Sequence, residues 1–258
     1  MSFSQILRGS PWPYYTKLTV PQIKFSLPSL STNLNISRNF SSKLTWDTVL
    51  SEDNRKKCLK RMKDINSIRL FQEQKVKKHG AVLVPLCHIN GELSFLYTVR
   101  SKGLKSHKGE ISFPGGMYEE GDEDLIKTAL RETDEEVGID PNKVDVWGAL
   151  PPVPAISNSS ITAIFGYVSD VNLDNLVVSD DEVESVFTVP LKMLCEKDVA
   201  CHTQFRSKSF KNGYTMPVFI TSDHRIWGLT AIFTHMALTS LLPGLYKKKL
   251  RHIRPLEK

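Results

Sequence analysis

Three glutamates, Glu132, Glu135 and Glu136, stand at i, i+3 and i+4 inside a stretch of helical periodicity, and no other feature limits the fold so strongly. On a helix they share one face, where like-charged pairs cost roughly 0.2–0.5 kcal/mol each. A compensating cation is therefore expected, and carboxylate oxygens suit hard ions such as Mg²⁺ or Mn²⁺. Leu125, Ala129, Leu130 and Thr133 take the inward positions of the same stretch, and Gly138 stands where a left-handed residue ends a helix. These signals predict a helix over residues 121–137. Just before it, Gly115-Gly116 permits close approach of a backbone carbonyl, and the loop-to-helix junction turns peptide N–H groups toward a would-be phosphate. The expectation is a site that binds divalent metal and, through it, phosphate.

Around this helix the pattern is strand-like. Residues 81–87 form a short, β-branched apolar run, Asn90-Gly91 is a strong hairpin dipeptide, and 93–100 read as the return strand. Further strand-like runs occupy 144–150, 161–168, 186–189 and 216–220. Residues 46–75 read as helix, with Thr45 or Ser51 able to cap and Leu59, Met62 and Ile65 at helical spacing; 226–242 read as a closing helix with Trp227 packed beneath it. Strands flanked by helices, with an antiparallel hairpin in mid-chain, predict an α+β fold built as an α/β/α sandwich.

The formal charge of +6 suggests a polyanion partner only until it is located along the chain. Residues 1–40 carry Arg8, Lys17, Lys24 and Arg38 with no acid, and residues 247–258 carry six basic side chains against Glu257. What remains, residues 41–246, has 24 basic side chains against 27 acidic, so no nucleic-acid partner is expected. The Ser-rich, acid-free start has the composition of a mitochondrial transit peptide, with Arg38-Asn39-Phe40 suggesting a cut after Phe40 and a matrix location. No run reaches the ~20 apolar residues of a membrane helix, so no integral membrane segment is expected. Cys58, Cys87, Cys195 and Cys201 form no C-x-x-C pair, which argues for free thiols over a zinc site or a disulfide scaffold.

The stretch Glu123-x7-Arg131-Glu132-x2-Glu135-Glu136-x-Gly138-Ile139, preceded by Gly116, resembles the box of the Nudix hydrolase family, G-x5-E-x7-R-E-U-x-E-E-x-G-U, where U is bulky and apolar. Six residues rather than five separate Gly116 from Glu123, and Thr133 takes a U position. The longer loop is similar to that of the coenzyme A diphosphatase subfamily. Its upstream signature, L-L-T-x-R-[SA]-x3-R-x3-G-x3-F-P-G-G, matches Leu96-Tyr97-Thr98-Val99-Arg100-Ser101, Lys105, Gly109 and Phe113-Pro114-Gly115-Gly116, with Tyr97 for the second Leu and Lys105 for Arg. The downstream segments around Phe187, Tyr214 and His224 also resemble this subfamily, in particular its mitochondrial animal members.

The resemblance covers a Nudix domain over 76–245, which with the readings above gives a layout of transit peptide (1–40), helical segment (41–75), Nudix domain (76–245) and basic tail (246–258). It implies an α/β/α sandwich with a mixed sheet, and metal-dependent hydrolysis of the diphosphate of coenzyme A, of acyl-CoA or of oxidised CoA, to 4′-phosphopantetheine and adenosine 3′,5′-bisphosphate. Glu132 and Glu136 are then the first metal ligands, Glu135 completes the site as ligand and catalytic group, and Gly116 adds its carbonyl. Glu182, in the cluster Asp180-Asp181-Glu182-Val183-Glu184, is the further catalytic Glu from beyond the box. Arg131, permanently charged, is structural and pairs with Glu123 or a neighbouring acid; Gly115 and Gly138 are structural too. Arg100, Lys105 and Lys108 are candidates for the substrate's phosphates, whereas His107 reads as a polar loop residue. The competing readings are a diphosphatase for ADP-ribose or NADH, and a catalytically inactive Nudix-fold binding module.

Overall fold

The computed structural model describes residues 45–65, 76–104, 106–155, 158–169, 171–207 and 210–250. The predicted transit segment, residues 66–75 of the N-terminal helix, Lys105 and residues 251–258 of the basic tail lie outside the described residues. Two helices come first, α1 (Trp46–Leu50) and α2 (Glu52–Asp64). Thr45 and Ser51 both cap, the Oγ1 of Thr45 accepting from Thr48 N–H and the Oγ of Ser51 from Asn54 N–H, each at 3.3 Å. Of the one or two helices expected over this stretch, two form, divided at Ser51, whose extended ψ of 145° ends the first and starts the second.

The hairpin forms at Asn90-Gly91, where φ values of 51° and 81° give the two left-handed residues of a tight turn joining β1 (Lys78–Ile89) to β2 (Glu92–Arg100). Then follow β3 (Ile111–Ser112), β4 (Gly115–Met117), α3 (Leu125–Val137), β5 (Val144–Ala149), β6 (Val153–Ala155), β7 (Ser159–Val168), β8 (Val183–Pro190), the short α4 (Leu191–Leu194), β9 (Ala200–Ser207), β10 (Phe210–Ile220), β11 (Arg225–Ile226) and α5 (Gly228–Leu241). The main sheet runs β3-β2-β1-β7-β5, with β4 on β1, β6 on β7 and β8 on β2. It is mixed, because β1 and β7 are parallel while the other pairs are antiparallel.

Alternation along the strands makes the sheet two-faced. From β1, Ala81, Leu83 and Cys87 pack with Ala129, Leu130 and Val137 of α3. Val84 and Leu86 point the other way, into a cluster with Met62 of α2 and Ile232, Phe233 and Leu238 of α5. The α/β/α layering and α+β class expected from the sequence are therefore present. The second, smaller sheet, β11-β10-β9, lays Met216, Phe219 and Ile226 on that larger cluster. Its outer strand β9 has no sequence-based forecast, nor have β3, β4, β6 and β11, which are too short for periodicity to register.

Tyr97, the departure from the upstream signature, is fully buried and stacks on Phe113 (centroids 4.7 Å) and on Phe187 (5.5 Å), which stacks in turn on His224 (3.7 Å). Its hydroxyl is satisfied by Thr234 Oγ1 at 3.1 Å, so the added polar atom is not orphaned by burial. The stack ties the hairpin and the loop ahead of Gly115 to the second sheet.

His235 of α5 is held neutral, burial pushing its pKa down to about 4, with Tyr246 Oη at 2.8 Å from Nδ1. The unfolded ring titrates near its ordinary 6.5, so the unfolded chain binds more protons as pH falls from 6.5 to 4. Stability from this group is present above pH 6.5 and is lost across that window, by at most about 3 kcal/mol. Denaturant unfolding between pH 8 and 4.5 should show a decline that is shallower in His235→Gln; parallel curves would refute it.

Candidate metal and diphosphate site

The acidic helix α3 is shorter than the sequence forecast, because Asp124 ends the loop by capping. Its Oδ1 accepts from Lys127 N–H at 2.8 Å, and Gly138 closes the helix at φ 70°. Thr133, at a position where the family pattern has a bulky apolar side chain, is fully buried and donates its hydroxyl to Ala129 O at 2.6 Å. The hydroxyl thus finds its partner inside the helix, and its burial leaves no unpaired polar atom there.

The one-turn offset of Glu132 and Glu136 puts both carboxylates over the glycine loop. Gly116 serves Glu132 by what it lacks, since a Cβ there would stand 2.4 Å from the carboxylate carbon and both oxygens. The Gly116 carbonyl itself lies against β1, where a Cβ on Gly80 would be 2.7 Å away. Glu136, 2% exposed, accepts from the N–H of Gly115 at 3.1 Å and lies 3.6 Å from the guanidinium of Arg100. Burial pushes the Glu136 carboxyl up to about 7, with the Gly115 N–H and Arg100 pulling against it; Glu132 is also raised, first by burial.

Glu182 comes to the same place from beyond the box. Ser179 N–H donates to the carbonyl of Glu136 at 3.0 Å, fastening the loop to the end of α3. At its far side Ser101 N–H donates to the carbonyl of Glu182 at 2.8 Å, and Arg100 pairs with Val183 in the β2–β8 ladder. The result is that carboxylate oxygens of Glu132, Glu136 and Glu182 lie within 4.8 Å of one another. Three carboxylates, one of them deeply buried, fit a hard divalent cation of the Mg²⁺ or Mn²⁺ class by donor type and by the charge they leave to be neutralised.

Glu135 is placed differently. One residue short of Glu136, it falls on the Arg131 side of the helix and is 58% exposed, with Oε2 at 3.0 Å from Arg131 NH1. Arg131 in turn clasps Asp122 through Nε (2.9 Å) and NH2 (3.1 Å), touches Glu132 Oε1 at 3.1 Å and donates to the carbonyl of Met117. The acid that holds the loop on the helix is thus Asp122, whereas Glu123 is exposed. Asp122 also accepts from Glu119 N–H (3.0 Å) and Thr128 Oγ1 (2.9 Å), and these partners, Arg131 first, hold its carboxyl well below the usual range. A signal was available: with five residues intervening after Gly116, the family spacing lands on Asp122.

Of the phosphate candidates, Arg100 borders the acidic trio and Lys108 is exposed in the loop before β3. His107 bonds Glu110 through Nδ1 at 2.8 Å, in keeping with a polar loop residue, and Trp227 is half-buried at the start of α5. Arg100, unlike Lys108, is oriented by a partner. Among the described residues no helix is long and apolar enough to cross a membrane, and all four cysteines are free.

The NUDIX domain family profile matches residues 77–210. The mitochondrial coenzyme A diphosphatase NUDT8 of Mus musculus is 43% identical over 172 residues, 66% of this chain and 81% of its own length; the Homo sapiens protein of that name is 42% identical over 173 residues, 66% and 72%. Nudix hydrolase 3 of Caenorhabditis elegans is 40% identical over 212 residues, covering 73% of this chain and 86% of its own. With more than half of the sequence inside that profile, and with relatives this similar over most of their own length, the chain belongs to the Nudix family.

Proposed function

We propose that this protein hydrolyses the diphosphate of coenzyme A and of its acyl or oxidised forms, releasing 4′-phosphopantetheine and adenosine 3′,5′-bisphosphate, in the mitochondrial matrix. The observation that carries the hydrolytic part is the convergence of Glu132, Glu136 and Glu182 beside Arg100. The coenzyme A part is supported by the signature from Leu96 to Gly116 and by the names of the mouse and human relatives. The intact trio weighs against an inactive binding module.

A divalent ion, when bound, neutralises the diphosphate and makes water a better nucleophile near neutral pH. The chain's own residues do the rest. Glu132, Glu136 and Glu182 supply the oxygen donors, and Gly116 leaves the space in which Glu132 turns toward its partners. Asp122 and Arg131 hold the glycine loop against α3, so that the donors are in position before substrate arrives. Arg100 offers a guanidinium to the phosphate oxygens. Glu135, ion-paired to Arg131 on the outer side of the helix, would have to leave that pair and turn toward the trio to take a proton from water.

The test is to incubate the purified chain with CoA, ADP-ribose and NADH, each with Mg²⁺ or Mn²⁺, and to read products by mass. Release of 4′-phosphopantetheine from CoA alone is expected; cleavage of ADP-ribose or NADH in its place would transfer the assignment to another nucleotide. The address is tested separately. Residues 1–40 fused to a fluorescent reporter should carry it into the matrix, and a cytosolic reporter would remove that part of the reading.

A further inference from the structure

Arg100 stands beside the most buried member of the acidic trio. Its NH1 lies 3.6 Å from Glu136 Oε1, and the two side chains are only 26% and 3% exposed. Glu132 has a separate partner, Arg131, at 3.1 Å. The three carboxylates lie within 4.8 Å of one another, with Glu136 buried, Glu132 half-buried and Glu182 exposed, so it is the buried Glu136 above all that calls for a neighbouring cation if it is to hold its charge. In the protein without metal the guanidinium of Arg100 supplies that charge.

The backbone fixes Arg100 here while leaving its head free. Pairing between β2 and β8 slips between Val99 and Arg100, a bulge of the sort that re-aims a side chain. Around it Arg100 N–H donates to Glu110 O and its carbonyl accepts from Gly109 N–H, both at 2.9 Å, while Ser101 N–H holds Glu182 at 2.8 Å. One corner of the sheet therefore anchors Arg100 and Glu182 together. The long guanidinium arm, which among the described residues forms one ion pair, with Glu136, is the movable part.

We propose that Arg100 is a built-in counterion: it holds the acidic trio assembled in the metal-free protein, leaves Glu136 when a divalent ion enters, and is thereby handed to the substrate's diphosphate. This rests on reading the trio as a metal site. A fixed positive charge beside an entering dication weakens its binding, whereas the same charge strengthens the binding of a diphosphate. Removing it therefore has opposite effects on metal and substrate, which a residue of merely structural importance does not produce.

The experiment compares full-length wild type, Arg100→Gln and Arg100→Lys by calorimetric titration with Mn²⁺ and by KM for CoA. Arg100→Gln is expected to bind Mn²⁺ at least about tenfold more tightly and to show a KM raised at least about tenfold, while Arg100→Lys keeps wild-type Mn²⁺ affinity within about threefold. Equal or weaker Mn²⁺ binding by Arg100→Gln overturns the counterion. No Mn²⁺ binding by the wild type overturns the metal-site reading and the counterion with it. Absence of CoA hydrolysis with the Mn²⁺ difference intact overturns only the substrate assignment. Should Arg100→Gln not fold, the wild type decides by NMR: the Arg100 Nε–H signal should shift on titration with Mg²⁺, and an unchanged signal at saturation refutes the displacement.

Discussion

Glu136→Gln is expected to fold normally and to lose metal-dependent turnover by more than about 10²-fold, the scale on which even indirect disturbance of a metal site is felt. The two halves of this expectation have separate causes. An amide of the same shape can still accept the Gly115 N–H that Glu136 now receives at 3.1 Å, so the loop stays docked. It also removes a carboxylate that burial has already pushed up to about 7, so the fold is relieved of a desolvated charge. What the amide lacks is the negative oxygen that the trio contributes to a cation. Turnover and denaturant midpoint measured on one preparation check both halves. Full activity would refute the site, and a collapse of stability would refute the claim that Glu136 is kept for chemistry at some cost to folding.

Gly115→Ala should have the larger effect on stability, more than about 3 kcal/mol, read as a shift of the denaturant midpoint. Gly115 sits at φ 147°, and a Cβ there would be 2.3 Å from the carbonyl oxygen of Ala81 and 2.5 Å from the Cα of Val82. Those neighbours are backbone of β1, in register with β4 at Val82 and Gly115, and they cannot step aside without breaking the pairing. Gly116→Ala differs in kind, because the nearest atoms its added methyl meets belong to the end of the Glu132 side chain, which can swing away. The first substitution should damage the fold and the second the acidic centre alone. A change under about 1 kcal/mol for Gly115→Ala would show that the loop tolerates what this geometry forbids.

Local signals were the legible ones. The hairpin at Asn90-Gly91, the stop at Gly138 and the i, i+4 stripe of Glu132 and Glu136 depend on neighbours a few residues away, and their residue types alone specify them. The loop clasp was legible only in kind. A carboxylate opposite Arg131 was expected, but Glu123 and Asp122 are adjacent in sequence, and the choice of Asp122 followed from where Thr128 and the Glu119 N–H could meet it. The break between α1 and α2 was similarly ambiguous, since Ser51 caps well yet sits inside an otherwise helical pattern.

What the sequence determined by itself is therefore the helix, its run of three acids taken to share one face, the glycines that let the loop approach them, and the family to which that arrangement belongs. Glu182 was named from the sequence only through the family resemblance, and tertiary structure decided that it joins them. Glu182 is brought in by β8 pairing with β2 and by Ser179 bonding the end of α3, contacts between segments far apart in the chain. Glu135, though adjacent to Glu136, is turned outward by its place on the helix and by the pull of Arg131. The physical reason is range: helical phase and turn chemistry act over a few residues, whereas the meeting of carboxylates depends on strand register, which is set only when the whole sheet forms.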